Sequence, residues 1–133
     1  VSNGIGRRKA LNLRTLKDCS ILIALDDFAV AFALRESFVQ VGADVIYPVS
    51  TIEDTLDIIM SSAPINGAIL GVNLQGEATF VAAEHLARRK IPFIFLVGHN
   101  TSDIPAKFDS ISRLEEPVVP ASLVQLMISQ LPA

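Results

Sequence analysis

The 133-residue chain has a single cysteine, Cys19, so no disulfide can form within it, and the apolar surroundings of that residue suit a small buried hydrophobe. No apolar run is long enough to span a membrane, because the longest, 21–34, carries Asp26 and Asp27 in its middle. The amino end is basic, yet no uninterrupted apolar segment follows it closely, and a cleavable signal is not legible. A dinucleotide-binding turn is also missing: Leu25-Asp26-Asp27-Phe28 has no glycine, and Gly4 and Gly6 stand too early in the chain. No phosphate-binding loop with its lysine occurs. Neither His85 nor His99 has a histidine or cysteine at ligand spacing, which argues against zinc. These absences point to a cytoplasmic protein without a metal cluster or a nucleotide loop.

Half of the residues are hydrophobic and 19% are charged, too apolar a mixture for disorder. The length suits one domain with one sizeable core. Charge divides the chain at residue 18. The segment before it holds Arg7, Arg8, Lys9, Arg14 and Lys17 with no acid; the rest is acidic. Residues 1–18 are therefore a basic leader or linker, and 19–133 the domain. Five cations without aromatic partners fit a solvated linker or helix better than a nucleic-acid or membrane contact. A valine at position 1 suggests a piece of a longer polypeptide or a processed chain.

From residue 20 onward, short apolar runs alternate with helical patterns, as in a parallel sheet with crossover helices. Strands are predicted at 20–25, 44–48, 67–72, 93–97 and 112–115. Between them, Val30, Leu34, Phe38 and Val41 mark a first helix over 28–41 with Gly42 as its left-handed cap. Ser50 and Glu53 form a capping box ahead of Leu56, Ile59 and Met60. A third helix runs over 76–90 with Arg88, Arg89 and Lys90 at its carboxyl end. A short fourth helix is expected over 103–109, and a last one opens at Pro120 and runs through Leu123, Leu126 and Met127 to Leu131. The fold class is α/β, a three-layer (βα)5 sandwich with a five-stranded parallel sheet in the flavodoxin-like order 2-1-3-4-5. Ligands then belong at the carboxyl ends of the strands, where the first and third lie side by side.

At that end stand Asp26 and Asp27, a pair able to offer oxygen ligands to magnesium; the plainer role is that one caps the next helix and the other faces water. The segments ILIALDDF, AILGVNLQGE, IPFIFLVGH and RLEEPV are similar to the four characteristic blocks of bacterial response-regulator receiver domains. With their spacing they cover roughly residues 19–131. The resemblance implies that Asp26 and Asp27 are the receiver's acidic pair. It puts Asn73 two residues past the phosphoacceptor, where a backbone carbonyl contacts the metal. Three other features of the family are lost. The phosphoacceptor position holds Gly71, the hydroxyl position Val97, and the lysine position Glu116, which keeps the following Pro117. Arg113 replaces a switching aromatic at a position that varies.

Aspartyl phosphate needs a carboxylate nucleophile, which glycine lacks. Glutamate puts a negative charge where a phosphoryl group needs a cation. It also stands to form an acidic cluster with Asp26 and Asp27 and so to raise a carboxylate pKa. The resemblance thus implies a pseudo-receiver of a two-component phosphorelay, with no catalytic residue and no cofactor beyond weak magnesium binding at Asp26, Asp27 and Asn73. Its expected partners are a histidine kinase, an output domain or a second copy paired through the fourth helix, fifth strand and fifth helix. Neither nucleic acid nor membrane is expected as a partner. The alternative is a small metal-dependent phosphatase or other hydrolase using Asp26 or Asp27 as nucleophile, although hydrolases of that kind separate their two aspartates by one residue.

Overall fold

A computed structural model describes residues 15–99 and 101–132. Most of the basic leader, residues 1–14, lies outside the described residues. The strands are β1 (Ser20–Ala24), β2 (Asp44–Val49), β3 (Gly67–Gly71), β4 (Asn73–Leu74), β5 (Glu77–Ala78), β6 (Phe93–Val97) and β7 (Arg113–Glu115). The helices are α1 (Phe28–Gln40), α2 (Ile52–Met60), α3 (Phe80–Arg88) and α4 (Pro120–Gln130). The main sheet has the order β2-β1-β3-β6-β7 with every pairing parallel, which is 2-1-3-4-5 counted over its five strands. All five residues of the central strand β3 are buried, as a strand covered on both faces requires.

Side chains alternate across the sheet and feed two cores. Leu22, Ala24, Ala68, Leu70, Phe93 and Phe95 pack towards α2 and α3. Ile21, Ile23, Ile69, Ile94 and Leu96 pack towards α1 and α4. Leu16, just ahead of the first strand, is 1% exposed and joins the second group. Cys19 is half-buried beside it, and burial together with the Asp18 carboxylate pushes its thiol pKa up, which suits an unreactive role.

The helix ends follow local chemistry. Gly42, at φ +90°, closes α1 by a Schellman motif in which its N–H donates to Val39 O and that of Ala43 to Phe38 O. The cap of α2 lies one residue later than the sequence pattern suggested: Thr51, not Ser50, accepts from the Asp54 N–H at 3.1 Å. Met60 is 68% exposed and Val41 is 39% exposed, so neither belongs to the buried face to which the spacing assigned it.

Two further expectations fail. The predicted helix over 103–109 is a 3-10 turn, Ala106–Phe108, which leaves four α-helices among the described residues. Pro105 is extended ahead of the turn, and Phe108, buried against Phe80 and Phe95, fixes the segment before a second turn can form. The third helix starts at Phe80 rather than at 76, because the preceding residues form the antiparallel β4–β5 hairpin. Its two turn residues, Gln75 and Gly76, have φ of +49° and +84°, the signature of a type I′ turn.

Candidate functional site: a cleft at the carboxyl ends of the strands

A cleft of about 450 Å³ opens where β1 and β3 lie side by side, lined by residues from the loops that follow β1, β3, β6 and β7. Asp26, Asp27, Gly71, Asn73, His99 and Glu116 all border it. Of the positions singled out in the sequence, Val97 and Arg113 stand outside it. Val97 is half-buried at the end of β6, and the exposed Arg113 donates from Nη2 to Phe108 O at 3.1 Å. His85 is also remote, on α3 next to Arg88.

The acidic pair does two different structural jobs. Asp27 caps α1, its Oδ1 accepting from the Val30 N–H at 3.1 Å. Asp26 Oδ2 accepts from the Gln75 N–H at 2.7 Å, which ties the hairpin turn across the cleft to the end of β1. Gln75 is held a second time, through Nε2 to Ser50 O at 3.1 Å.

Gly71 ends β3 without a positive φ, so its backbone does not require glycine. A Cβ built there would lie 3.3 Å from the Asn73 carbonyl oxygen and 3.3 Å from Leu25 Cδ2. That carbonyl therefore points towards the place where a side chain at position 71 would start. The Asn73 side chain turns elsewhere, its Oδ1 accepting from Ser102 N–H at 2.8 Å and its Nδ2 donating to Ser102 Oγ at 3.1 Å. Beneath the floor, the fully buried Thr79 donates from Oγ1 to Gly71 O at 2.6 Å and reaches Val72 O at 3.0 Å. Sequence reasoning missed Gln75, Thr79 and Ser102; the Gln-Gly pair was the available turn signal, but glutamine is an uncommon first residue for a type I′ turn.

Glu116 follows β7, with its N–H on Val97 O at 2.8 Å and a cis peptide bond to Pro117. Its Oε2 lies 3.0 Å from a Cβ built on Gly98, so the side chain lies over the loop after β6. Burial, and then repulsion by Asp27 and Asp26, hold its carboxyl pKa above the usual range, while His99 pulls the other way. Three carboxylates thus border the cleft, and no lysine lines it.

For magnesium these residues offer a reduced donor set. One oxygen of each aspartate is already committed to a backbone N–H, and position 71 supplies none. Among the described residues, no three His, Cys, Asp or Glu side chains come together as a metal-holding group.

The chain matches no protein-family model and no curated protein. Solved structures do match. The solution structure of SdrG from Sphingomonas melonis Fr1 is 26% identical with a TM-score of 0.69, over 84% of this chain and 97% of that one. A response regulator receiver protein from Sinorhizobium medicae WSM419 has 20% identity and a TM-score of 0.69, over 86% and 98% of the two chains. The chain has the fold of response regulator receiver domains. A CheY-like response regulator receiver domain from Methylobacillus flagellatus, 23% identical with a TM-score of 0.67, covers 86% of the receiver-like chain and 99% of its own. The likeness runs over nearly the whole of each neighbour, so the parallel sheet and the helices packed on it belong to one shared fold. No helix among the described residues is long and apolar enough to cross a membrane.

Proposed function

We propose that this receiver-like domain works in two-component signalling by binding other proteins and does not accept a phosphoryl group. The observation that carries this reading is Gly71 at the end of β3, bordering a cleft at the carboxyl ends of the strands beside Asp26 and Asp27. A carboxylate nucleophile is missing where the fold would present one. Glu116 adds to the loss, because it brings negative charge over the β6 loop, where an incoming phosphoryl group needs a cation. The positions Val97, Glu116 and Arg113 are then relics of a switch, and Asp26, Asp27 and Asn73 stabilise the loops in place of holding magnesium. Partners of this reading are a histidine kinase, an output domain or a second copy. Light scattering that finds only monomer at high concentration would remove the second copy.

The hydrolase alternative draws less support, since Asp26 and Asp27 each spend one oxygen on a backbone N–H, which lowers the nucleophilicity of the carboxylate. Intact-mass spectrometry after incubation with magnesium and a small phosphodonor tests the proposal. The native domain should keep its mass, and a stable phosphoryl adduct would overturn the reading.

A further inference from the structure

Exposed apolar side chains concentrate on one helix. Among the described residues, seven large hydrophobic side chains are exposed, and four of them, Phe28, Phe32, Val39 and Val41, belong to α1 or to the residue that ends it. The other three, Met60, Val81 and Val119, stand singly on different parts of the chain. Ala31, Leu34 and Phe38 turn one side of α1 into the core, and Phe28, Phe32 and Val39, 66%, 49% and 44% exposed, form a second stripe along its flank. With Arg35 among them, these positions are spaced four, three and four residues apart, the pattern of a coiled-coil seam. The stripe is supported from below. Phe28 packs on Tyr47 of β2 with ring centroids 5.9 Å apart, and the Arg35 guanidinium lies 5.8 Å from the centre of the same ring. An apolar stripe held in this way on a small domain is a surface for interaction.

We propose that the occupant is a second copy of this chain, its α1 packed antiparallel on the first about a two-fold axis. Phe28 of one copy then meets Val39 of the other, and Phe32 meets Arg35, a scheme that closes on itself because each contact occurs twice. A parallel pairing would set Arg35 against Arg35 and align the two helix dipoles; the antiparallel one removes both repulsions. Charge is complementary in this register. Within its own copy Arg35 holds Glu36 at 2.6 Å, and across the axis the same cation stacks on Phe32 and comes one turn from the other Glu36. The area is small: two rings exposed to this extent leave roughly 200 Å² of aromatic surface per copy, which suits an interface at the low end of the specific range, one that forms as concentration rises. The surface that the family resemblance suggests for pairing is less suited. Its fourth helix is reduced to the turn Ala106–Phe108, and Arg113 and Glu115 are exposed on β7. The inference names the second copy among the partners of the proposed function, and its consequence for signalling rests on that reading: pairing withdraws the α1 face from any other protein.

Sedimentation equilibrium of the full chain, from micromolar to millimolar concentration, reads the association. The expected result is a reversible monomer–dimer equilibrium that Phe32→Glu weakens by about tenfold or more, because it puts a carboxylate on the apolar stripe. Val39→Glu is the second variant should the first disturb the fold. Arg35→Glu should weaken the dimer as well, since the new carboxylate faces Phe32 and Glu36 of the other copy; an unchanged equilibrium would overturn the antiparallel register. Val119→Glu makes the same kind of change beside α4 and should leave the equilibrium as it is. A chain that stays monomeric at millimolar concentration would overturn the inference. So would a dimer that Phe32→Glu and Val39→Glu both leave intact, or one that Val119→Glu dissolves, which would move the contact to the α4 side. No phosphodonor enters this experiment, so its failure is separate from failure of the proposed function.

Discussion

In the proposed function position 71 decides the chemistry of the cleft, and a Cβ there needs a few tenths of an ångström of give from the Asn73 carbonyl oxygen and from Leu25 Cδ2. Charge, more than space, opposes an aspartate there, since it would be a fourth carboxylate beside Asp26, Asp27 and Glu116. Gly71→Asp is expected to lower stability at pH 7 by roughly 1–2 kcal/mol. Glu116→Lys in the same chain should recover much of that loss, with a coupling of about 1 kcal/mol in a double-mutant cycle of urea unfolding. Strict additivity would mean that the two positions do not share one electrostatic site.

The raised pKa of Glu116 carries its own pH dependence. A carboxyl that holds its proton more tightly in the folded state gives stability that is complete below its unfolded pKa, about 4.3, and is lost as pH rises through the folded value. Glu116→Gln should therefore raise the urea midpoint at pH 7 and give no gain near pH ~3.5. The gain should stay below about 1 kcal/mol because the group is largely solvated. A gain of equal size at both pH values would contradict the cluster. Asp26, Asp27 and Glu116 were legible as a cluster because each directly follows a predicted strand. Thr79 was not, because nothing in a lone threonine signals that its hydroxyl will hold a carbonyl eight residues away.

At the scale of elements, hydrophobic periodicity located the five strands and four helices, since each buries a face against the sheet. It misplaced what other forces decide. The segment over 103–109 has the composition of a short helix, but the anchored ring of Phe108 and the extended Pro105 allow only a 3-10 turn. The β4–β5 hairpin is too short for an alternation pattern to register, and its existence rests on backbone geometry at Gln75 and Gly76. Gly76→Ala tests that geometry cleanly, because nothing stands within 4 Å of a Cβ at this position and the cost is conformational alone. A loss of about 1 kcal/mol in unfolding free energy is expected. No loss would show that the turn relaxes to another conformation, and the Gln75 N–H to Asp26 bond would then be dispensable.

Over the whole molecule, the sheet order was legible because βα alternation and right-handed crossovers leave few arrangements for so short a chain. The order in turn puts the loops after β1, β3, β6 and β7 around one cleft, which is why the acids found along the sequence meet in space. The apolar outer side of α1 escaped notice, because helical spacing identifies the face that is buried and is silent about a second apolar face. The charge division between leader and body was visible in the sequence.

The most direct test that this cleft is no longer a phosphoryl switch is the two-dimensional amide NMR spectrum of the full chain, recorded before and after adding magnesium and a small phosphodonor. The amides of Gly71, Asn73, Gly98 and His99 are expected to stay in place. Displacement of those amides that reverses as the donor is consumed would show that the cleft still takes up a phosphoryl group, and would contradict the proposed function.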